Sequence, residues 1–198
     1  MIQRLADVAV RVACGVGYDK THITRTVAYR AVDAWLDRQP CETFDTLEIA
    51  AGWKWRQRRW GSFSEMNWPD HDICTDVFPH TFDLVIADNV WEHLLHPWQA
   101  ARNVLQMLKP GGVFVNITPF MIRHHPVPTD CTRWTELGMR HFLADCGFDP
   151  QRIETGSWGN AAAVKANLHR WARTGWRRAL PNDLNFPVTV WAIARKPG

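Results

Sequence analysis

Residues able to do chemistry gather in three short stretches of this sequence. The first is LEIAAG, 47–52, where one carboxylate, Glu48, precedes a glycine, Gly52, with the small side chains Ala50 and Ala51 between them. The second is WEHL, 91–94, with His93. The third is PFMIRHHPVPTDCTRW, 119–134, which carries Arg123, His124, His125, Asp130, Arg133 and Trp134. Imidazole titrates nearest to neutral pH, so His93, His124 and His125 are the candidate proton acceptors, His125 foremost. His93 has a competing role as a hydrogen-bonded residue at a helix start. Asp130 and Arg133 are either substrate contacts or a mutual pair that fixes the loop.

The chemistry of 47–52 depends on where it sits. At the carboxyl end of a parallel strand, a turn into a helix opens on a crevice where backbone amides converge. A dinucleotide would need the glycines of G-x-G-x-x-G to admit its pyrophosphate, and Ala50, Ala51 and Lys54 obstruct that approach, so NAD is disfavoured. S-adenosylmethionine carries no phosphate, only an ammonium, a carboxylate, a sulfonium and a nucleoside. One carboxylate beside a close-approach glycine, Glu48 with Gly52, suits its amino-acid end.

The elements that must position these groups follow from periodicity. Apolar residues at helical spacing predict helices over 2–14 and 22–37, the second through Ile23, Val27, Ala31, Ala34 and Trp35. Short apolar runs predict strands over 46–50, 82–87 and 112–117. A helix opened by Pro97 and ended by KPGG lies between the last two. Further helices are expected over 135–146, closed by Gly147, and 161–173, with a final strand over 188–195 whose Val188, Val190, Ala192 and Ala194 share a face. Doubly buried strands alternating with helices mean a parallel α/β sheet. The stretch 56–74 leaves little room for a helix.

With 198 residues, 46% hydrophobic and 22% charged, the chain can bury one sizeable core, and one domain is expected. A net charge of +3, spread over both halves, demands no acidic partner. Five scattered cysteines form no C-x-x-C pair and no His/Cys cluster at zinc spacing, so no metal site is expected and a reduced cytoplasmic home fits. Asp7 and Arg11 interrupt the apolar N-terminus, and a soluble protein without a membrane span is expected. Twelve tryptophans are many for this length, and core packing is their commoner use, although exposed rings make a homodimer reasonable.

The order LEIAAG, MNWPD, HDIC, FDLVIADNVWEHL, QMLKPGG and VFVNITPF resembles the class I S-adenosylmethionine-dependent methyltransferases, specifically their type 11 branch. The likeness covers about half of the chain. It also extends to Pro128, Asp130, Arg133, Trp134 and Thr135, which match the P-x-D-x-x-R-aromatic-T segment of that branch. The resemblance implies a Rossmann-like seven-stranded sheet, mostly parallel with an antiparallel last strand, helices on both faces and N-terminal lid helices. It further implies a single domain over 1–198, with a helical lid over 1–40 and the core over 41–198.

Carried onto this sequence, the resemblance puts Glu48 and Gly52 at the amino-acid end of S-adenosylmethionine, with Ala50 and Ala51 as cofactor-binding residues of the narrow turn between them. Asp72 and Ile73 fall near the adenine, and Asp88, Asn89 and Val90 along the pocket wall. Asn67 stands where the family has an acid for the ribose, with Glu65 two positions earlier. Tyr18, in the joint of the lid, is a further cofactor contact, and Arg123, Asp130, Arg133 and Trp134 are candidate substrate contacts. The implied function is methyl transfer to oxygen or nitrogen of a small metabolite.

Two alternatives stand beside it. WKWRQRRW and RWARTGWRR interleave basic and aromatic residues as nucleic-acid binders do. The segment ADNVW, however, lacks the Asn/Asp-Pro-Pro-aromatic motif of base-amine methyltransferases, so nucleic acid is disfavoured as partner. The other alternative is a non-catalytic methyltransferase-like subunit.

Overall fold

The computed structural model describes Cys14 and residues 18–175 and 181–198. The helix expected over 2–14 and Trp176 lie outside the described residues, apart from Cys14. In chain order the elements are β1 (Asp19–His22), α1 (Ile23–Leu36), β2 (Asp45–Ile49), β3 (Ser62–Met66), β4 (Phe82–Asp88), α2 (Pro97–Met107), β5 (Leu108–Pro119), α3 (Glu136–Asp145), β6 (Ile153–Gly159), α4 (Ala161–His169), β7 (Arg173–Gly175) and β8 (Pro187–Arg195). The main sheet has the order β3-β2-β4-β5-β8-β6, and β1 pairs with β7 in a separate ribbon. β3, β2, β4 and β5 run parallel, whereas β8 lies antiparallel between β5 and β6.

Side-chain alternation builds two cores, one on each face of the sheet. Val85, Ala87 and Phe114 face α2 and α3, where Ala101, Val104, Met139, Phe142 and Leu143 cover them. Leu84, Ile86, Val113, Val115 and Ile117 face α1, covered by Ala28, Tyr29, Val32, Trp35 and Leu36. Each fully buried Val, Leu, Ile, Phe or Met among them contributes about 1.5–3 kcal/mol. Val190, Ala192 and Ala194 of β8 are fully buried on the α2/α3 side, as their alternation predicts, and Val188 is fully buried beside Trp158. Pro97 sits in the first turn of α2, Thr135 accepts from the Gly138 amide to cap α3, and Gly147 ends that helix at φ +106°.

Four sequence expectations are corrected. The main sheet has six strands among the described residues, not seven, because 67–81 is spent on turns held by Asp72 and Asp76. The turn after β2 does not enter an α-helix; it leads only to a short helical turn, Trp55–Gln57, because Trp55 is buried edge-on against Tyr29 while Lys54 pairs with Asp33 of α1 and Arg58 with Asp37 at the end of that helix. The helix expected over 161–173 stops at His169, since Arg173–Gly175 pairs with β1. The stripe expected on the helix over 22–37 is rotated: Ala34 is exposed and Val27 and Ala31 are half-buried, because Ala28, Tyr29 and Val32 carry the sheet contact. Among the described residues no helix is long and apolar enough to cross a membrane.

Candidate active site

Parallel strands β2 and β4 end side by side, and the chain reverses sharply after each. Ala50 and Asn89, the residues that follow, both adopt left-handed backbone, at φ 53° and 56°. For alanine this costs roughly 1–2 kcal/mol, a strain kept at the carboxyl edge of the sheet. The edge between them is acidic. Glu48 is 1% exposed; its Oε1 accepts from the Gly52 amide at 2.9 Å, while its Oε2 is buried without a partner. Burial pushes this carboxyl up to about 7 against the opposing Gly52 hydrogen bond, and the charges of Asp88 and Glu65 add to the rise.

Asp88, at the end of β4, accepts from the Tyr29 hydroxyl at 2.5 Å and from the Asn89 side chain at 2.6 Å. Burial, and then Asp88 itself, hold the Tyr29 hydroxyl far above its ordinary value, so it stays a donor. Ala51 donates to Asn67 Oδ1 at 2.7 Å, and Asn67 in turn donates to Glu65, which pairs with Arg56 at 2.5 Å. Asn67 therefore braces the turn. Lys54 reaches back to Asp33 at 2.6 Å and lines the cleft at the turn, its ammonium near the Tyr29 ring. A cleft of about 60 Å³ results, lined by Arg25, Tyr29, Glu48, Gly52 and Asp88 among others. Ile73 and Val90 are buried in the core with Ile49, Met66 and Ala87 and line neither cavity. The Asp72 carboxylate caps the Cys74 amide at 2.8 Å.

A second cavity, of about 190 Å³, adjoins the first at Arg25, which lines both. Its wall includes His22, Asn89, Glu92, His93, His125 and Trp171. The loop after β5 is clamped onto the turn Trp91–His93: Cys131 donates to the Glu92 carbonyl at 2.7 Å, and Thr129 Oγ1 to the His93 carbonyl at 2.5 Å. His93 Nδ1 meets the Thr129 carbonyl, which can only accept, so Nδ1 carries a proton, and in the neutral ring Nε2 holds the lone pair. That Nε2 lies 3.6 Å from Glu92 Oε1. Glu92 is 1% exposed, and burial pushes it up to about 8; its Oε2 has no partner. His125 Nε2 is likewise buried and unpartnered, and burial pulls this ring below its ordinary value.

The remaining candidates divide. Asp130 pairs with Arg133 and accepts from the His125 amide at 2.9 Å, so this pair fixes the loop. His124 is exposed and lines neither cavity, because its extended-chain neighbour His125 turns the other way. Trp134, 7% exposed, packs on Phe142 in the core rather than in the cavity. Arg123 donates to the His169 carbonyl at 2.9 Å and lies over the Trp171 ring, outside the cavity wall. Tyr18 lies beside Gly175, and the tyrosine that lines the cleft is Tyr29. Sequence reasoning missed Glu92, Arg25 and Tyr29; the EH pair was the available signal for the first. A larger hollow, about 400 Å³, is lined by Asp33, Asp37, Lys54 and Arg58, whose charges are spent on one another.

Residues 11–114 match the family model described as "Methyltransferase domain". An uncharacterized methyltransferase of Mycolicibacterium gilvum is 25% identical over 132 residues, 59% of this chain, and the chain spans 46% of that relative's length. An S-adenosylmethionine-dependent methyltransferase from Mesorhizobium loti superimposes with TM-score 0.60 at 18% identity, covering 85% of this chain and 97% of that one. The N-methyltransferase NodS from Bradyrhizobium japonicum, in complex with S-adenosylhomocysteine, gives 0.56 at 14% identity, covering 88% and 87%. With the family model spanning more than half of the chain and this sheet order beneath it, the chain belongs to the methyltransferase-domain family, the class I S-adenosylmethionine-dependent methyltransferases.

Proposed function

We propose that this chain transfers the methyl group of S-adenosylmethionine to oxygen or nitrogen of a small metabolite. The observation that supports the reading is the pair of cavities meeting at Arg25, one lined by the carboxylates Glu48 and Asp88 with Lys54 beside them, the other by the imidazoles His22, His93 and His125. The residues suit the cofactor's cationic end: Glu48 Oε2 is buried with no partner, and Gly52 adds no side chain beside the carboxylate, where a Cβ would stand 3.8 Å from Oε1. An ammonium seated there offsets the cost of a buried carboxylate.

Bound S-adenosylmethionine supplies an activated methyl carbon. Alignment and desolvation of the acceptor are then the protein's share of the work. Arg25, which has no ion-pair partner among the described residues, suits a carboxylate at the border of the two cavities. Tyr29 and Asn89 hold Asp88 in place. Glu65, braced by Asn67, takes the ribose hydroxyls. In the second cavity His125 Nε2 is the group placed to take a proton from the acceptor, with His93 held rigid beside it at a ring separation of 5.0 Å. α1, packed on the sheet, carries Arg25 and Tyr29 to the wall of the cleft.

This reading includes small-molecule chemistry of the type 11 kind, a cytoplasmic setting and a monomer or homodimer. Nucleic acid is disfavoured because Lys54, Arg56 and Arg58 of the basic-aromatic stretch are engaged in ion pairs. The test is a thermal-shift titration with S-adenosylmethionine and S-adenosylhomocysteine. Ligand at a hundredfold excess over its Kd stabilises the fold by about 2.7 kcal/mol. S-adenosylhomocysteine should then accumulate with a hydroxyl- or amine-bearing acceptor drawn from a metabolite panel. The absence of any shift would overturn the reading.

A further inference from the structure

We propose that Glu92, His93 and His125 form a binding site for a first-row divalent cation such as Zn²⁺ in the wall of the second cavity. One ligand atom from each of the three lies within 4.8 Å of the others. Two imidazoles and one carboxylate are a donor set used for zinc and iron(II), leaving further positions open.

Three independent features mark it as a built site. Glu92 is 1% exposed, yet its Oε2 finds no hydrogen-bond partner, and His125 Nε2 is buried without one as well. Two unsatisfied groups converging on one cavity are costly, and a shared cation satisfies both. The imidazole of His93 is already set for ligation, because its Nδ1 proton is spent on the Thr129 carbonyl and its Nε2 lone pair faces Glu92. Metal-bound histidines are oriented by such a second hydrogen bond.

The backbone fixes the triad from both sides. Cys131 and Thr132 donate to the Glu92 carbonyl at 2.7 and 3.3 Å, and Asp130, held by Arg133, accepts from the His125 amide. His22, Asn89 and Arg25 line the rest of the cavity, so the open positions face the space assigned to the acceptor, and an acceptor oxygen would complete the coordination. That last role, in which the cation shares the His125 lone pair otherwise available as base, rests on the proposed methyl transfer. The binding of the ion does not.

The test is a calorimetric titration of the full chain, stripped of metal by chelation and dialysis, with Zn²⁺ alone. A parallel titration with Co²⁺ is followed by its visible absorption. One equivalent should bind, and His125→Ala and Glu92→Gln should each weaken binding by about a hundredfold. His125 is partly exposed, so its variant isolates the ligand from the fold. On the wild-type chain, imidazole nitrogen resonances of two histidines should move on Zn²⁺ addition, whatever the variants do. Zn²⁺ binding no tighter than millimolar, or wild-type affinity in both variants, would overturn the site. No nucleoside is present in these titrations. A chain that binds Zn²⁺ here but no S-adenosylhomocysteine would therefore sustain the site while overturning the proposed function, and the converse result would do the opposite.

Discussion

Glu48→Gln should remove a pH dependence from cofactor binding. The carboxyl sits at about 7, raised by burial at the end of β2, and an ammonium ligand requires it ionised. With one proton linked to binding, the ionised fraction is about 0.09 at pH 6 and about 0.76 at pH 7.5, so affinity for S-adenosylhomocysteine should rise about eightfold across that interval, or about 1.3 kcal/mol. The glutamine variant should bind about 10- to 100-fold more weakly at pH 7.5, the value of a lost charge-assisted hydrogen bond, and its affinity should be flat in pH. Calorimetry at the two pH values on both proteins measures all four numbers. Stability moves the other way: a carboxyl raised in the folded state binds the extra proton between the unfolded value near 4.5 and about 7. The ligand-free protein therefore loses stability as pH rises through that window, by about 1–2 kcal/mol after allowing for water at the open side of the cleft. The glutamine variant should not show this loss. Equal pH dependence in both proteins would refute Glu48 as the titrating partner.

Four further outcomes are expected. Gly52→Val should leave the melting temperature within a few degrees but lower S-adenosylhomocysteine affinity by about a hundredfold, because its methyl groups stand before the carboxylate; wild-type affinity would remove Gly52 from the site. Ala50→Gly should raise stability by about 0.5–1 kcal/mol in urea unfolding, since φ 53° strains alanine; a loss would contradict the strained turn. Gly159→Ala should cost about 3 kcal/mol by the same assay, because its Cβ would fall 1.9 Å from the Phe186 carbonyl; an unchanged midpoint would refute the β6–β8 packing. His125→Ala should cut methyl transfer about a hundredfold while sparing S-adenosylhomocysteine affinity, whereas His124→Ala, on an exposed ring, should leave both unchanged; equal effects would contradict the loop geometry.

Much of the sheet was legible because its strands are short apolar runs buried on both faces, and Pro97, Thr135 and Gly147 mark helix ends by local chemistry. What periodicity could not reveal was tertiary. The face of α1 is chosen by a Tyr29–Trp55 contact between segments far apart in sequence, and a small-residue stripe through Ala31 and Ala34 mimics the buried one. The end of α4 is set by pairing with β1, some 150 residues away by the count of Asp19 against Gly175. Among the candidate site residues, Glu48, Gly52, Asp88 and Asn89 were legible as positions at or just after strand ends. Glu92 was not, because a buried unpartnered carboxylate looks in sequence like any acid at a helix start. Trp134 carries an aromatic that suits a substrate, yet its place in the core depends on Phe142. Tyr29 outranks Tyr18 for a reason only packing supplies: it reaches Asp88 across the cleft.

The most direct measurement is a crystal structure of the chain grown with S-adenosylhomocysteine. The account predicts its ammonium within hydrogen-bond distance of Glu48 Oε2 and its sulfur facing the cavity of Glu92, His93 and His125 across Arg25. A nucleoside seated elsewhere, with Glu48 Oε2 still unpartnered, would contradict it.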